Sequence, residues 1–155
     1  MKGNAKIIEC LNGLLAEELT AINQYMVHSE MCANWNYERL HKAVEARAIV
    51  EMKHAEKLIG RMLFLEGTPV VSQLNKLSIG PNVKQQLESD HKAELTAVAR
   101  YNKSIALAIE VGDHGTREML TSILKDEEEH VDWIEAQLDQ IQQMGIQIYL
   151  AEQSK

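Results

Sequence analysis

Glu51-Met52-Lys53-His54 returns as Glu127-Glu128-Glu129-His130, 76 residues further along the chain. The solitary Glu18 returns over the same interval as Glu94, and 33 residues separate the single Glu from the Glu-x-x-His pair in each half. Six such residues in two similar halves describe one metal site, because this mixture of carboxylate oxygen and imidazole nitrogen suits iron, manganese or zinc.

Spacing alone is weak, since Glu38/His41 and Glu88/His91 share it. Helical phase separates the pairs. At roughly 100° per residue, Leu40, Val44, Ala48, Ala55, Leu58, Met62 and Leu65 fall within about 60° of Glu51, and His54 falls among them. His41 lies about 80° and Glu38 about 140° from that direction. Glu127 and His130 share a stripe with Leu120, Ile123, Leu124, Val131, Ile134, Leu138 and Ile141. Glu18 stands among Ile7, Leu11, Leu14, Leu15, Ala21, Ile22 and Tyr25, and Glu94 among Val83, Leu87, Ala97, Val98, Tyr101, Ile105 and Ala108. Four Glu and two His therefore point into apolar interiors, where an uncompensated carboxylate is costly. A pair of metal ions compensates them most simply; pairing with Lys or Arg is the alternative.

The chain of 155 residues fits one domain with ample apolar content, and two Pro with strong helical periodicity favour an all-α fold. A net charge of −7 argues against nucleic-acid binding and suits a surface that meets cations. Cys10 and Cys32 have no metal spacing and read as reduced thiols. Neither a signal-peptide core nor an apolar run of membrane-spanning length is evident, so a soluble, cytoplasmic protein is expected.

Breaks in the periodicity predict helices over about 4–32, 37–66, 82–111 and 116–144, with a short fifth helix over about 146–153. Gly67-Thr68-Pro69 stops the second helix, and Gly112-Asp113-His114-Gly115 separates the third from the fourth. Residues 67–81 are too many for a turn between antiparallel helices. Extended, about 15 residues reach roughly 50 Å, while a helix of about 30 residues is roughly 45 Å long. The segment can run the length of the bundle and set the second and third helices parallel. The expected architecture is a four-helix bundle with one long crossover, and folding each half back on itself brings all six residues level at mid-bundle.

Ile22-Asn23-Gln24-Tyr25, Glu51-Met52-Lys53-His54-Ala55, Leu63-Phe64-Leu65-Glu66-Gly67 and Asp126-Glu127-Glu128-Glu129-His130-Val131-Asp132-Trp133 resemble segments of the bacterioferritins. Met144-Gly145 followed by Tyr149-Leu150 resembles that family's terminal helix. The ligand set also matches the pattern of ferritin-like di-metal bundles. The resemblance covers essentially the whole chain. It implies a 24-subunit shell built from two-fold dimers that stores ferric mineral, with an intrasubunit di-iron ferroxidase centre oxidising Fe(II) by O₂ or H₂O₂. Glu51 and Glu127 are implied as bridging ligands, Glu18 and Glu94 as terminal carboxylates, and His54 and His130 as one imidazole per iron.

Met52 lies about 100° from Glu51 and shares an outer direction with Ile49, Ile59 and Leu63. From the residues alone this second apolar stripe reads as a subunit interface. The resemblance turns it into a haem site: a haem b between two subunits, its iron held axially by Met52 from each, with Met31 and Trp35 lining the pocket. Tyr25 lies on the inner face near Glu18, placed to hydrogen-bond a ligand carboxylate, to supply an electron during oxidation, or simply to fill the core with its hydroxyl satisfied; Tyr101 is its counterpart. Trp133, about 120° from Glu127, reads as packing or interface.

Some bacterioferritins carry His at the position of Ala46 and acidic residues at those of Arg47 and Val50, with an additional iron site on the inner surface. Here only Asp126 of that cluster remains, so altered iron transfer to the cavity is expected. Arg47, about 40° from Glu51, is expected to pair with Asp90 or Glu94, or to reach outward. Two alternatives to a ferroxidase stay open: a non-catalytic haem or shell subunit of a mixed bacterioferritin, and another di-iron enzyme such as a peroxide reductase. A ferredoxin-like electron donor completes the partners that the resemblance suggests.

Overall fold

The computed structural model describes all residues, Met1–Lys155, and contains five helices and no strand: α1 Ala5–Asn34, α2 Glu38–Phe64, α3 Val83–Glu110, α4 His114–Met144 and α5 Ile146–Gln153. Side chains start three of them. Asn4 accepts from Lys6 N–H, Asn82 from Gln85 N–H and Asp113 from Thr116 N–H, each satisfying a donor that the first helical turn leaves free.

The breaks differ in detail from the expected ones. His114 and Gly115 lie inside α4, because Asp113 caps that helix and is itself fixed by Arg61 of α2, whose Nη2 donates to Asp113 Oδ1 at 2.8 Å. The turn contracts to Val111–Asp113, with Gly112 at φ 73, where a side chain is disfavoured. α1 continues past Cys32 to Asn34, and Asn36 at φ 63 reverses the chain into α2.

α1 packs along α2 and α3 along α4, and the two hairpins meet chiefly through α1 and α3. Asp90 faces Gln24 and His28, Glu94 faces Tyr25, and Tyr101 faces Glu18, so α3 runs antiparallel to α1 and hence parallel to α2. The long crossover makes this possible, and polar side chains along one face of α1 guide it. Asn12 Nδ2 donates to Thr68 O and its Oδ1 accepts from Val70 N–H; Thr20, Gln24 and His28 accept from the N–H groups of Asn75, Ser78 and Gly80. Gly80 itself cannot carry a Cβ, which would lie 2.2 Å from the backbone nitrogen of Gln86.

His28 is fully buried; its Nε2 accepts from Gly80, so Nδ1 carries the proton toward Asp90 Oδ1 at 3.0 Å. His28→Leu would strand a buried carboxylate and a backbone donor, at a cost of about 2–4 kcal/mol. The expected fall in melting temperature is about 5–15 °C. The double variant His28→Leu/Asp90→Leu should recover part of that loss, and a single-variant change under about 2 °C would remove the anchor role.

The core is divided. One cluster, including Leu11, Leu15, Leu58, Met62, Leu120 and Ile123, fills one end of the bundle. A second, including Cys32, Leu40, Leu87, Ile134 and Ile141, fills the other, where Tyr149 of α5 is buried and donates to Gln137. Between them lies a belt of buried ionisable side chains. No helix is long and apolar enough to cross a membrane.

Candidate metal centre

Four helices supply the belt: Glu18 from α1, Glu51 and His54 one turn apart on α2, Glu94 from α3, and Glu127 and His130 one turn apart on α4. All six are buried. Their potential ligand atoms fall into two groups, Glu18–Glu51–His54–Glu127 and Glu51–Glu94–His130, each within 4.8 Å. Glu51 belongs to both. His54 Nδ1 lies 2.9 Å from Glu127 Oε1 and 3.4 Å from Glu51 Oε2; His130 Nδ1 lies 2.9 Å from Glu94 Oε1.

One atom each of Glu18, Glu51, His54, Glu94 and Glu127 is buried without a hydrogen-bond partner. Orphaned polar atoms gathered in one buried belt are unusual, and hard or borderline cations satisfy them once the ligands are deprotonated. A cleft of about 650 Å³ between α1, α3 and the crossover leads from the surface, past Glu17, Lys76, Glu88 and Lys92, to the carboxylates.

The two halves are tied crosswise. Tyr25 donates to Glu94, and Tyr101 donates to Glu18 Oε1 at 2.5 Å, so each half's tyrosine holds the other half's lone carboxylate. Both phenols are buried, with pKa values pushed well up by burial and by the neighbouring carboxylate charge. His54 is oriented from behind by Asp126, 2.8 Å from its Nε2. Asp126 immediately precedes Glu127, a signal present in the sequence but read there only as a remnant of another cluster. Trp133 stacks on His130, with ring centroids 6.1 Å apart and planes 13° from parallel, so it packs against the centre.

Arg47 departs from expectation. It does not pair with Asp90, which His28 and Gln24 hold, and it turns inward rather than reaching out, with only about a tenth of its side chain exposed. Its Nε lies 2.8 Å from Glu51 Oε1, and its Nη2 lies 3.2 Å from Glu127 Oε2 and 3.8 Å from Glu94 Oε2. Only the Glu127 contact is a directed hydrogen bond. Of the two expected partners, Glu94 is met, at the longest of the three distances.

Residues 8–144 match the family described as a ferritin-like domain. A bacterioferritin of Brucella melitensis is 42% identical over 149 residues, covering 96% of this chain and 92% of its own length. Bacterioferritins of Rhodobacter capsulatus and Mycolicibacterium paratuberculosis are 41% and 37% identical, covering 95% and 98% of this chain and 91% and 96% of their own lengths. The chain belongs to the bacterioferritin family.

In this bacterioferritin the crowded carboxylates share protons. Burial, with nearby Glu18, pushes Glu51 up to about 8; burial, with hydrogen bonding to Glu94, pushes Glu127 up to about 10. Burial alone would raise Glu94, but hydrogen bonds with Glu127 and His130 and the charges of His130 and Arg47 outweigh it and hold Glu94 at about 2. Burial opposes the charging of His54, yet the close approach of Glu127, Glu18 and Glu51 to its Nδ1 prevails and raises it to about 12.

Glu51 and Glu127 thus keep protons that the unfolded chain releases near pH 4.5, and His54 one that it releases near 6.5, so stability falls as pH rises from about 4.5 and most steeply between about 6.5 and 8, where all three count. Glu94 works in the opposite sense, but only between about 2 and 4.5. Metal-stripped bacterioferritin is expected to melt lower at pH 9 than at pH 6.5, by up to about 1.4 kcal/mol per pH unit for each proton retained. Saturating Zn(II) should reverse the trend, because ligands bind metal deprotonated. A melting temperature that rises with pH in the stripped protein would contradict this assignment.

Met52 is half-exposed on the outer side of α2, with Ile49 and Leu63 also exposed. Met31 and Trp35 line a shallow groove with Met26, Val27, Glu30 and Asn34, and Met52 is not part of its lining.

Proposed function

We propose that this protein stores iron by oxidising Fe(II), its substrate, at the Glu18–Glu51–His54–Glu94–Glu127–His130 centre. The carrying observation is the set of buried, unpartnered ligand atoms shared by two overlapping groups. Two Fe(II) held close can together pass two electrons to one O₂ or H₂O₂. Four carboxylates match the charge of two divalent ions and favour Fe(III) over Fe(II), which drives the oxidation. Tyr25 and Tyr101 orient Glu94 and Glu18, and Tyr25 is within reach to donate an electron. Ferric product then accumulates as mineral inside a 24-subunit cytoplasmic shell of this chain.

Met52, exposed among apolar neighbours, offers one thioether per chain; two copies facing across a two-fold axis would hold a haem b. When bound, haem supplies an electron relay for reductive iron release, fed by a ferredoxin-like donor.

Anaerobic Fe(II) titration followed by O₂ or H₂O₂ tests the reading. Saturation near two Fe(II) per subunit, then ferric absorbance developing far faster than in buffer, supports it. One observation favours a second reading: Arg47 among the carboxylates suits a haem-bearing shell subunit that assembles with a more active bacterioferritin. Absence of Fe(II) binding, in wild type and in Arg47→Gln alike, would select that reading.

A further inference from the structure

We propose that Arg47 is a built-in placeholder for the second metal, so that the two subsites fill in a fixed order, Glu18/His54 first and Glu94/His130 second. The inference rests on the metal-centre reading above and adds an inequality to it.

Three observations carry it. Arg47 contacts Glu51, shared by both groups, and Glu127, grouped with Glu18 and His54; of the two lone carboxylates it reaches Glu94, at 3.8 Å, and not Glu18, so its guanidinium lies on the second subsite's side of the centre. The 76-residue internal repeat supplies a control within the molecule: the counterpart of Arg47 is Ile123, a fully buried core residue, so no cation faces the first subsite from the equivalent position. The same repeat pairs Asp126 with Val50. Asp126 holds His54 from behind, 2.8 Å from Nε2, whereas Val50 offers His130 no such acceptor and His130 Nε2 makes no hydrogen bond. A carboxylate behind a ligating imidazole fixes its orientation and raises its basicity. The first subsite has that support and the second lacks it.

Charge gives the direction. With the ligands deprotonated, as metal binding requires, four carboxylates and Arg47 sum to −3; one divalent ion brings the centre to −1, and a second brings it to +1 unless the guanidinium leaves. Without Arg47 the second ion brings the centre to neutrality. The second metal must therefore displace a buried cation or sit beside it, while the first need not. The guanidinium is held by one directed hydrogen bond, so displacement is feasible, and its departure returns three carboxylates to the metals. The first ion is bound firmly, and the second is taken up weakly and given up readily.

Co(II), which reports its ligand field in visible absorbance without being oxidised, is the probe. Metal-stripped, assembled wild-type protein should bind one Co(II) per subunit tightly and a second roughly tenfold to a hundredfold more weakly. Arg47→Gln and the apolar Arg47→Met should each tighten the second step by about threefold or more and leave the first nearly unchanged, and Val50→Asp, which supplies the missing acceptor behind His130, should narrow the remaining gap. Glu18→Ala should remove the tight step and Glu94→Ala the weak one. Superimposable isotherms for wild type, Arg47→Gln and Arg47→Met, each with two Co(II) bound and the assembly intact by gel filtration, would overturn the placeholder while leaving the metal centre standing. Failure of every protein to bind Co(II) would overturn both.

Discussion

Replacing Glu51 with Ala is expected to slow Fe(II) oxidation by about two orders of magnitude or more, to a rate near that of buffer. Glu51 is the residue common to both ligand groups, so its loss takes an oxygen from each metal position at once. Residues that only support ligands already cost about 10–100-fold when removed; a ligand common to both positions should stand at the top of that range or above it. The same substitution removes a buried carboxyl whose pKa crowding raises to about 8, and it frees Arg47 from its nearest contact. The first change relieves the fold and the second, loosening Arg47, weakens it, so the stripped variant should melt within about 5 °C of wild type, which separates a chemical defect from a folding one. Stopped-flow ferric absorbance makes the comparison. A rate within about threefold of wild type, in a protein that still binds two Fe(II), would remove Glu51 from the centre.

Met52→Leu should have an all-or-none effect elsewhere. Leu preserves side-chain volume, so an interface packed around residue 52 survives, while the thioether at that position is lost. The variant, expressed with excess haem, is expected to assemble normally and to show no Soret absorbance. Its initial Fe(II) oxidation should stay within about twofold of wild type, because Met52 lies on the outer side of α2 and Glu51 on the inner. Reductive iron release should slow. Persistence of haem in Met52→Leu would mean that another residue holds it.

Much of this molecule is legible in its sequence, for definable reasons. Glu18, Glu51, His54, Glu94, Glu127 and His130 stand on apolar stripes; phase separates them from Glu38/His41 and from Glu88, about 120° from Glu94, while His91, about 60° away, reaches the edge of that stripe and lies near the surface. The crossover follows from counting residues between two helices of known length. Phase fails where a long side chain chooses its direction: about 40° from Glu51 locates the Cβ of Arg47, not the end of its guanidinium. It also fails across helices. That Tyr25 and Tyr101 face inward is visible in each half, but their exchange of partners appears only when α1 and α3 are set antiparallel. Asn12, Thr20, Gln24 and His28 read as unremarkable polar positions on a helix because their partners are mostly backbone atoms, which carry no sequence signal.

Those four residues also locate the instructions for the crossover. Its path is written largely on α1, whose side chains grip successive peptide groups, rather than in its own side chains. Val71 and Leu74 are consequently left largely exposed, with Val70, Leu77 and Ile79 partly so. The strap is held by its peptide groups, so its most exposed side chains can be exchanged with little effect on the bundle, which leaves its outer surface open to a neighbour's shape.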